Sequence, residues 1–161
     1  DDRGWFARTY CKKEFVTIGH DKEWVQMNHS FTKEKGTVRG MHFQHPPFSE
    51  IKMVRCVAGA VLDVIVDIRK DSPTFLQHVV AELSAANKQM MYIPEGFAHG
   101  FVTLENNTIF SYKCTNIYNK ASEDCILWND PQLAIDWKIE NPILSAKDLE
   151  GKKFNDFVSL F

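Results

Sequence analysis

Short apolar runs recur along the chain with polar residues alternating inside them and turn residues between them. The clearest is AVLDVIVDI at residues 60–68. Leu62, Val64, Val66 and Ile68 share one side of a period-two pattern, and Asp63, Ile65 and Asp67 share the other. That alternation predicts a strand with one polar face, closed by Lys70-Asp71-Ser72-Pro73. Further strands are predicted over 51–57, 78–83, 90–93, 100–104, 108–114 and 125–128. Turns fall at Ala85-Ala86-Asn87, Pro94-Glu95-Gly96, Glu105-Asn106-Asn107 and Asn129-Asp130-Pro131. Many short strands separated by Gly, Pro and Asn predict an all-β sandwich or barrel. Helix signals are scarce, with one or two short turns predicted within 147–160. No repeat, low-complexity tract or linker interrupts the pattern, so residues 1–161 read as a single domain.

Composition changes this picture little. Hydrophobic residues at 44% and charged residues at 25% are ordinary for a globular chain. Twelve phenylalanines spread along the sequence strengthen the strand reading. A net charge of −2 supplies no concentrated basic face, so no nucleic-acid partner is expected. The apolar runs are too short for a helix to span a bilayer, and no signal-peptide pattern opens the chain, so no membrane association is expected. Cys11, Cys56, Cys114 and Cys125 are scattered, none at a C-x-x-C spacing. They read as free, mostly buried thiols in a reducing compartment, which makes the cytoplasm the expected location.

Candidate chemistry concentrates in TVRGMHFQHPPFSEIKMVRC, residues 37–56, which holds Arg39, His42, His45, Glu50 and Lys52. A second stretch, YIPEGFAHGF, contains P-x-G-x-x-H ending at His99 and resembles the second motif of the cupin barrels. In those barrels the first motif brings two His separated by one residue, then a Glu, and the four groups bind a metal. Here His42 and His45 stand three apart, and such residues on a strand face opposite sides. No metal and no cofactor are therefore expected. A metal-dependent cupin using His42, His45, Glu50 and His99 is the alternative. In a regular strand His42 shares its face with Gly40 and Gln44, and Tyr112 shares its face with Phe110 and Cys114. His42, Lys52 and Tyr112 around one cavity form a proton-transfer set. Each also has a plain structural reading: a hydrogen-bonded strand histidine, a lysine guarding a sheet edge, and a core aromatic with its hydroxyl at the rim. Asp63 and Asp67 read as a solvated face. Composition and spacing alone lead to a soluble β-rich domain with a polar cavity.

Longer motifs occur in a telling order: VRGMHFQHPPFSEIKMVRCVAGAVLDVIVDIRKDSPTF, IPEGFAHGF, YKCTNIY, WNDP and LSAKD. With Asp2-Arg3-Gly4 at one end and Asp148 at the other, the chain resembles the dTDP-4-dehydrorhamnose 3,5-epimerase family of sugar-nucleotide epimerases. The resemblance implies a cupin-type jelly-roll barrel, acting without metal or cofactor, as a homodimer, on a nucleotide-diphosphate sugar. It implies His42 as base, Asp148 as the group orienting it, Lys52 as the cation beside the keto oxygen and Tyr112 as acid. It places Asp63 and His99 along the sugar, Arg3 and Arg39 at the diphosphate, Gln26 and Asn28 near the nucleotide, and Tyr118 at the substrate. The sequence departs from the family at Arg8, where a Glu is usual. It also begins at the first arginine motif, so the family's N-terminal lead is expected to be missing. Related enzymes invert only one centre or shift the keto group, and the presence of both His42 and Tyr112 favours epimerisation. A non-catalytic nucleotide-sugar-binding barrel is the remaining alternative.

Overall fold

In the computed structural model, which describes residues 1–161, nine strands pair antiparallel into two sheets. In chain order they are β1 Gln26–Thr32, β2 Val38–Gln44, β3 Lys52–Ala58, β4 Ala60–Asp67, β5 His78–Ser84, β6 Met90–Ile93, β7 Phe97–Thr103, β8 Thr108–Cys114 and β9 Glu123–Cys125. One sheet has the order β1-β8-β3-β6 and the other β5-β4-β7-β2-β9. The two face each other as a jelly roll, the all-β architecture predicted. Short helices flank it: α1 Lys12–Phe15 with a 3₁₀ turn at Val16–Ile18, and, after the last strand, α2 Ala146–Leu149 with a 3₁₀ turn at Phe154–Asp156. No helix is long and apolar enough to cross a membrane.

Two apolar clusters explain the pairing. Between the sheets lie Val54, Cys56, Val61, Ile65, Leu83, Ile93, Phe101 and Phe110. Outside the five-stranded sheet, Leu133, Trp137 and Phe157 of the C-terminal segment pack on Val38, Met41, Val64, Val66 and Ile68. The β4 alternation therefore separates two cores. Asp63 and Asp67, expected on a solvated face, are 0% and 1% exposed. The outer side of β4 is covered by the C-terminal segment, and the polar side turns into the barrel. Asp67 accepts hydrogen bonds from Arg69, Ser72 and Thr74. Burial raises its pKa, but these donors outweigh burial and hold it well below the usual carboxylate range.

Several boundaries differ from expectation. β7 begins at Phe97, immediately after Gly96, rather than at residue 100. β9 spans 123–125, and Ile126 just beyond it exchanges backbone hydrogen bonds with Met41 on one side and bridges Lys152 on the other. α1 carries no buried residue and so had no amphipathic signature. β1 escaped prediction because its alternation is inverted. Gln26, Asn28 and Ser30 turn inward, whereas Met27 and Phe31 are 60% and 58% exposed.

β2 carries the feature that positions the site. Arg39 pairs with Phe101 and His42 with His99, three residues on β2 against two on β7. This is a bulge. It falls at Gly40, whose φ of +129° suits glycine, and a Cβ there would stand 2.5 Å from Gly100 Cα. The extra residue returns Arg39 and His42 to one face.

Candidate active site

Between the sheets is a cavity in two adjoining compartments of about 180 and 340 Å³ that share His42, Lys52 and Tyr112 as lining. Arg39, His99 and Phe110 line the smaller; Gln26, Asn28, Glu50, Tyr118 and Glu123 line the larger. The walls come from different sheets. His42, His99 and Arg39 stand on the five-stranded sheet, and Lys52, Tyr112, Gln26 and Asn28 on the four-stranded sheet.

Asp148 Oδ1 lies 2.8 Å from His42 Nε2, an ion-pair distance, although the contact is too poorly aligned for a linear hydrogen bond. Asp148 is itself fixed. Its Oδ1 accepts from Gly40 N–H at 3.2 Å, and its Oδ2 accepts from Ser145 Oγ at 2.6 Å. Ser145 also caps α2 by accepting from Asp148 N–H. This S-x-x-D pair has the spacing of a capping box, but the acid accepts from the serine hydroxyl rather than from its backbone N–H and is shared with a histidine. Burial pushes the Asp148 carboxyl up, but His42, Ser145 and Gly40 together hold it down at about 2. With Nε2 turned to a carboxylate, Nδ1 is the nitrogen left to exchange a proton.

The opposite wall holds a cation and a phenol. Lys52 Nζ lies 3.3 Å from Glu50 Oε1, both side chains largely buried. Burial, then the nearby Cys114 and Glu50, push the Tyr112 phenol above its ordinary value, so it keeps its proton. Deeper in, His99 Nε2 meets Asp63 Oδ2 at 2.9 Å. Arg39 Nε donates to Thr32 Oγ1 at 3.2 Å and leaves its remaining N–H groups for a ligand. At the other end Gln26 accepts from Tyr118 N–H and donates to Asn28. Tyr118 O–H donates to Glu123, which also pairs with Lys147. Burial drives the Cys114 and Cys125 thiols up to about 12, so in the metal-free protein both stay protonated.

Ten of the eleven residues singled out in the sequence thus gather at this cavity or contact a residue that lines it. Arg3 does not. Its side chain is 89% exposed and bonded to Asp1, and the first eleven residues form no strand and make no backbone hydrogen bond to the barrel. Arg8 likewise pairs with Glu14 at the surface. His45 faces away from His42, bonded to Asp124 and stacked against Phe157 and Phe161. Glu50 is engaged by Lys52, so the four-ligand cupin set is not assembled. Sequence reasoning gave Glu50 no role and passed over Gln44, whose side chain ties down loops through Phe48, Ile117 and Asn119. It also missed Glu123 and Ser145. Of these only Ser145 carried a readable signal, its capping-box spacing to Asp148.

A family profile described as dTDP-4-dehydrorhamnose 3,5-epimerase matches residues 1–156. The chain belongs to the dTDP-4-dehydrorhamnose 3,5-epimerase family. It is 49% identical over 157 residues to the dTDP-4-dehydrorhamnose 3,5-epimerase of Shigella flexneri, covering 97% of this chain and 86% of that one. A Bacillus anthracis dTDP-4-dehydrorhamnose 3,5-epimerase, solved with TDP and PPi bound, superposes with a TM-score of 0.92 at 47% identity, over 94% of this chain and 87% of that one. A Legionella pneumophila dTDP-6-deoxy-D-glucose-3,5-epimerase in complex with dTDP-4-keto-L-rhamnose does so with a TM-score of 0.92 at 43% identity, over 98% and 84%. As a member of this epimerase family the protein is an isomerase on a jelly-roll barrel. The epimerase cavity of this chain sets an imidazole–carboxylate pair against a protonated phenol on facing walls, with an ammonium between compartments.

Proposed function

We propose that this epimerase acts on a dTDP-linked 4-keto-6-deoxy hexose, inverting carbons 3 and 5 through enolates, and that His42, Asp148, Lys52 and Tyr112 carry the chemistry. One observation supports this most: His42 and Tyr112 stand on facing sheets yet line the same cavity. Inverting a carbon needs a base on one face and an acid on the other. The ketone acidifies the neighbouring C–H bonds. His42 removes the proton, and Asp148 holds the ring and stabilises the imidazolium, as the aspartate does in hydrolytic triads. Lys52 neutralises charge building on the keto oxygen, the role of a preorganised cation. Tyr112 returns a proton to the opposite face.

Arg39 binds the diphosphate and Gln26, Asn28 and Tyr118 the nucleotide end, so that remote binding energy positions the sugar. Asp63 and His99 hold the sugar in the smaller compartment. The resemblance also implies a homodimer, which the exposed Trp5 and Phe6, at 64% and 93%, support. Arg3 would reach a diphosphate only from this unpaired segment. Four free thiols support a cytoplasmic setting.

The test is made in heavy water with dTDP-4-keto-6-deoxyglucose, following deuterium at carbons 3 and 5. Uptake at both centres is expected; uptake at one makes this a single-centre epimerase, and none refutes the reading. Tyr112→Phe should still exchange deuterium but stop inverting; full inversion would move the acid elsewhere.

A further inference from the structure

Cys125 of β9 lies directly across from His42 of β2 in the antiparallel register. Asp148 reaches the same point from α2. The Cys125 Sγ, a His42 ring nitrogen and an Asp148 carboxylate oxygen all lie within 4.8 Å of one another. The proton-transfer scheme leaves the sulfur without a task. His42 Nε2 is buried and has no aligned hydrogen-bond partner despite its proximity to Asp148. The His42 side chain is 29% exposed and lines the cavity, with the three donor atoms just behind its ring.

One nitrogen, one sulfur and one oxygen donor converging on a point make a set suited to a borderline-soft divalent ion. Zinc takes these three donor types in tetrahedral geometry, and three protein ligands leave its fourth position open. Other pairs in the molecule lack this character. The Asp124 oxygen that meets His45 also holds Lys152 Nζ at 2.6 Å, a cation that would repel an ion. His99 and Asp63 offer two donors without a third.

We propose that Cys125, His42 and Asp148 form an inhibitory site for a zinc-class divalent cation, filling its fourth position with water from the cavity. Binding forms bonds from the ion to Sγ, Nε2 and a carboxylate oxygen and releases the thiol proton to solvent. The imidazole is then bound to the metal through its Nε2 lone pair and carries its proton on Nδ1, so neither ring nitrogen is left to accept another proton. The base is silenced while the rest of the cavity stays open. Zinc accordingly lowers kcat and leaves KM nearly unchanged. The loss of activity rests on His42 being the base; the metal binding does not.

The enzyme is stripped with chelator and titrated with Zn²⁺ for activity and with Co²⁺ for absorbance. Expected are a thiolate-to-cobalt charge-transfer band, a zinc-dependent fall in kcat and recovery on adding chelator. Cys125→Ser and Cys125→Ala should keep the metal-free rate. Both should lose the band and need more than about tenfold higher zinc for the same inhibition, the low end of the cost of losing even an outer-shell partner. A cobalt spectrum without a thiolate band overturns the proposal, as does undiminished zinc sensitivity in both variants. If the epimerase reading itself fails, the cobalt spectra of parent and variants still decide the site.

Discussion

The two sheets differ in how they are covered. The five-stranded sheet is buried on both faces along β2, β4 and β7, by the barrel interior and by the C-terminal segment that brings in Leu133, Trp137 and Phe157. The four-stranded sheet is covered unevenly on its outer side, which buries Met53 but leaves Met27, Phe31 and Val57 in solvent. His42, Asp148 and the His99–Asp63 pair belong to the doubly covered side. Lys52, Tyr112, Gln26 and Asn28 belong to the other. Groups that must keep a fixed mutual geometry sit where packing determines them from both sides. The C-terminal segment serves both ends at once, because the chain that closes the outer core also delivers Asp148.

This contrast can be broken in steps of decreasing size. His42→Ala should cut deuterium exchange by roughly 10²–10⁴-fold, about 3–5 kcal/mol of barrier, with nucleotide affinity by calorimetry nearly unchanged. Leu133→Ala, which opens the outer core at a residue only 2% exposed, should cost about 2–5 kcal/mol in urea unfolding. Asp148 should make stability acid-sensitive. Its pKa of about 2 lies below its ordinary 3.8, so its contribution is full above pH 4 and lost as pH falls towards 2. Asp148→Asn should remove that slope, worth on the order of 2 kcal/mol, in melts between pH 5 and 2. Phe31→Ser, on the exposed face, should move the unfolding midpoint by less than about 0.5 kcal/mol in the monomer. A larger, concentration-dependent change would place Phe31 in the dimer interface.

Much of this was legible in the chain. The β4 alternation predicted its strand and its two faces, but which material covers each face is a tertiary fact. The three-apart spacing correctly separated His42 from His45. The same rule would have separated Arg39 from His42, and there the bulge overrules it. A glycine inside a strand is the readable sign of such a break, yet Gly40 was read as an ordinary strand position. β1 stayed hidden because a cavity wall inverts the usual alternation, with amides inside and phenylalanine outside. Arg3 shows the limit of motif matching, since a motif names a residue without saying where the fold puts it. Asp148 lies 106 residues from His42 in sequence, and no periodicity links them.

The extra residue at Gly40 acts as a phase shifter. Upstream of it β2 runs in one beat of the in–out rhythm, and downstream it runs in the other. Arg39 and His42 are therefore keyed to separate halves of one strand, and the hinge between them donates its own N–H to the carboxylate that meets His42. Sequence drift before position 40 can retune the Arg39 end of the cavity without rotating the imidazole. A barrel built this way can exchange the molecule it holds while keeping the chemistry it performs.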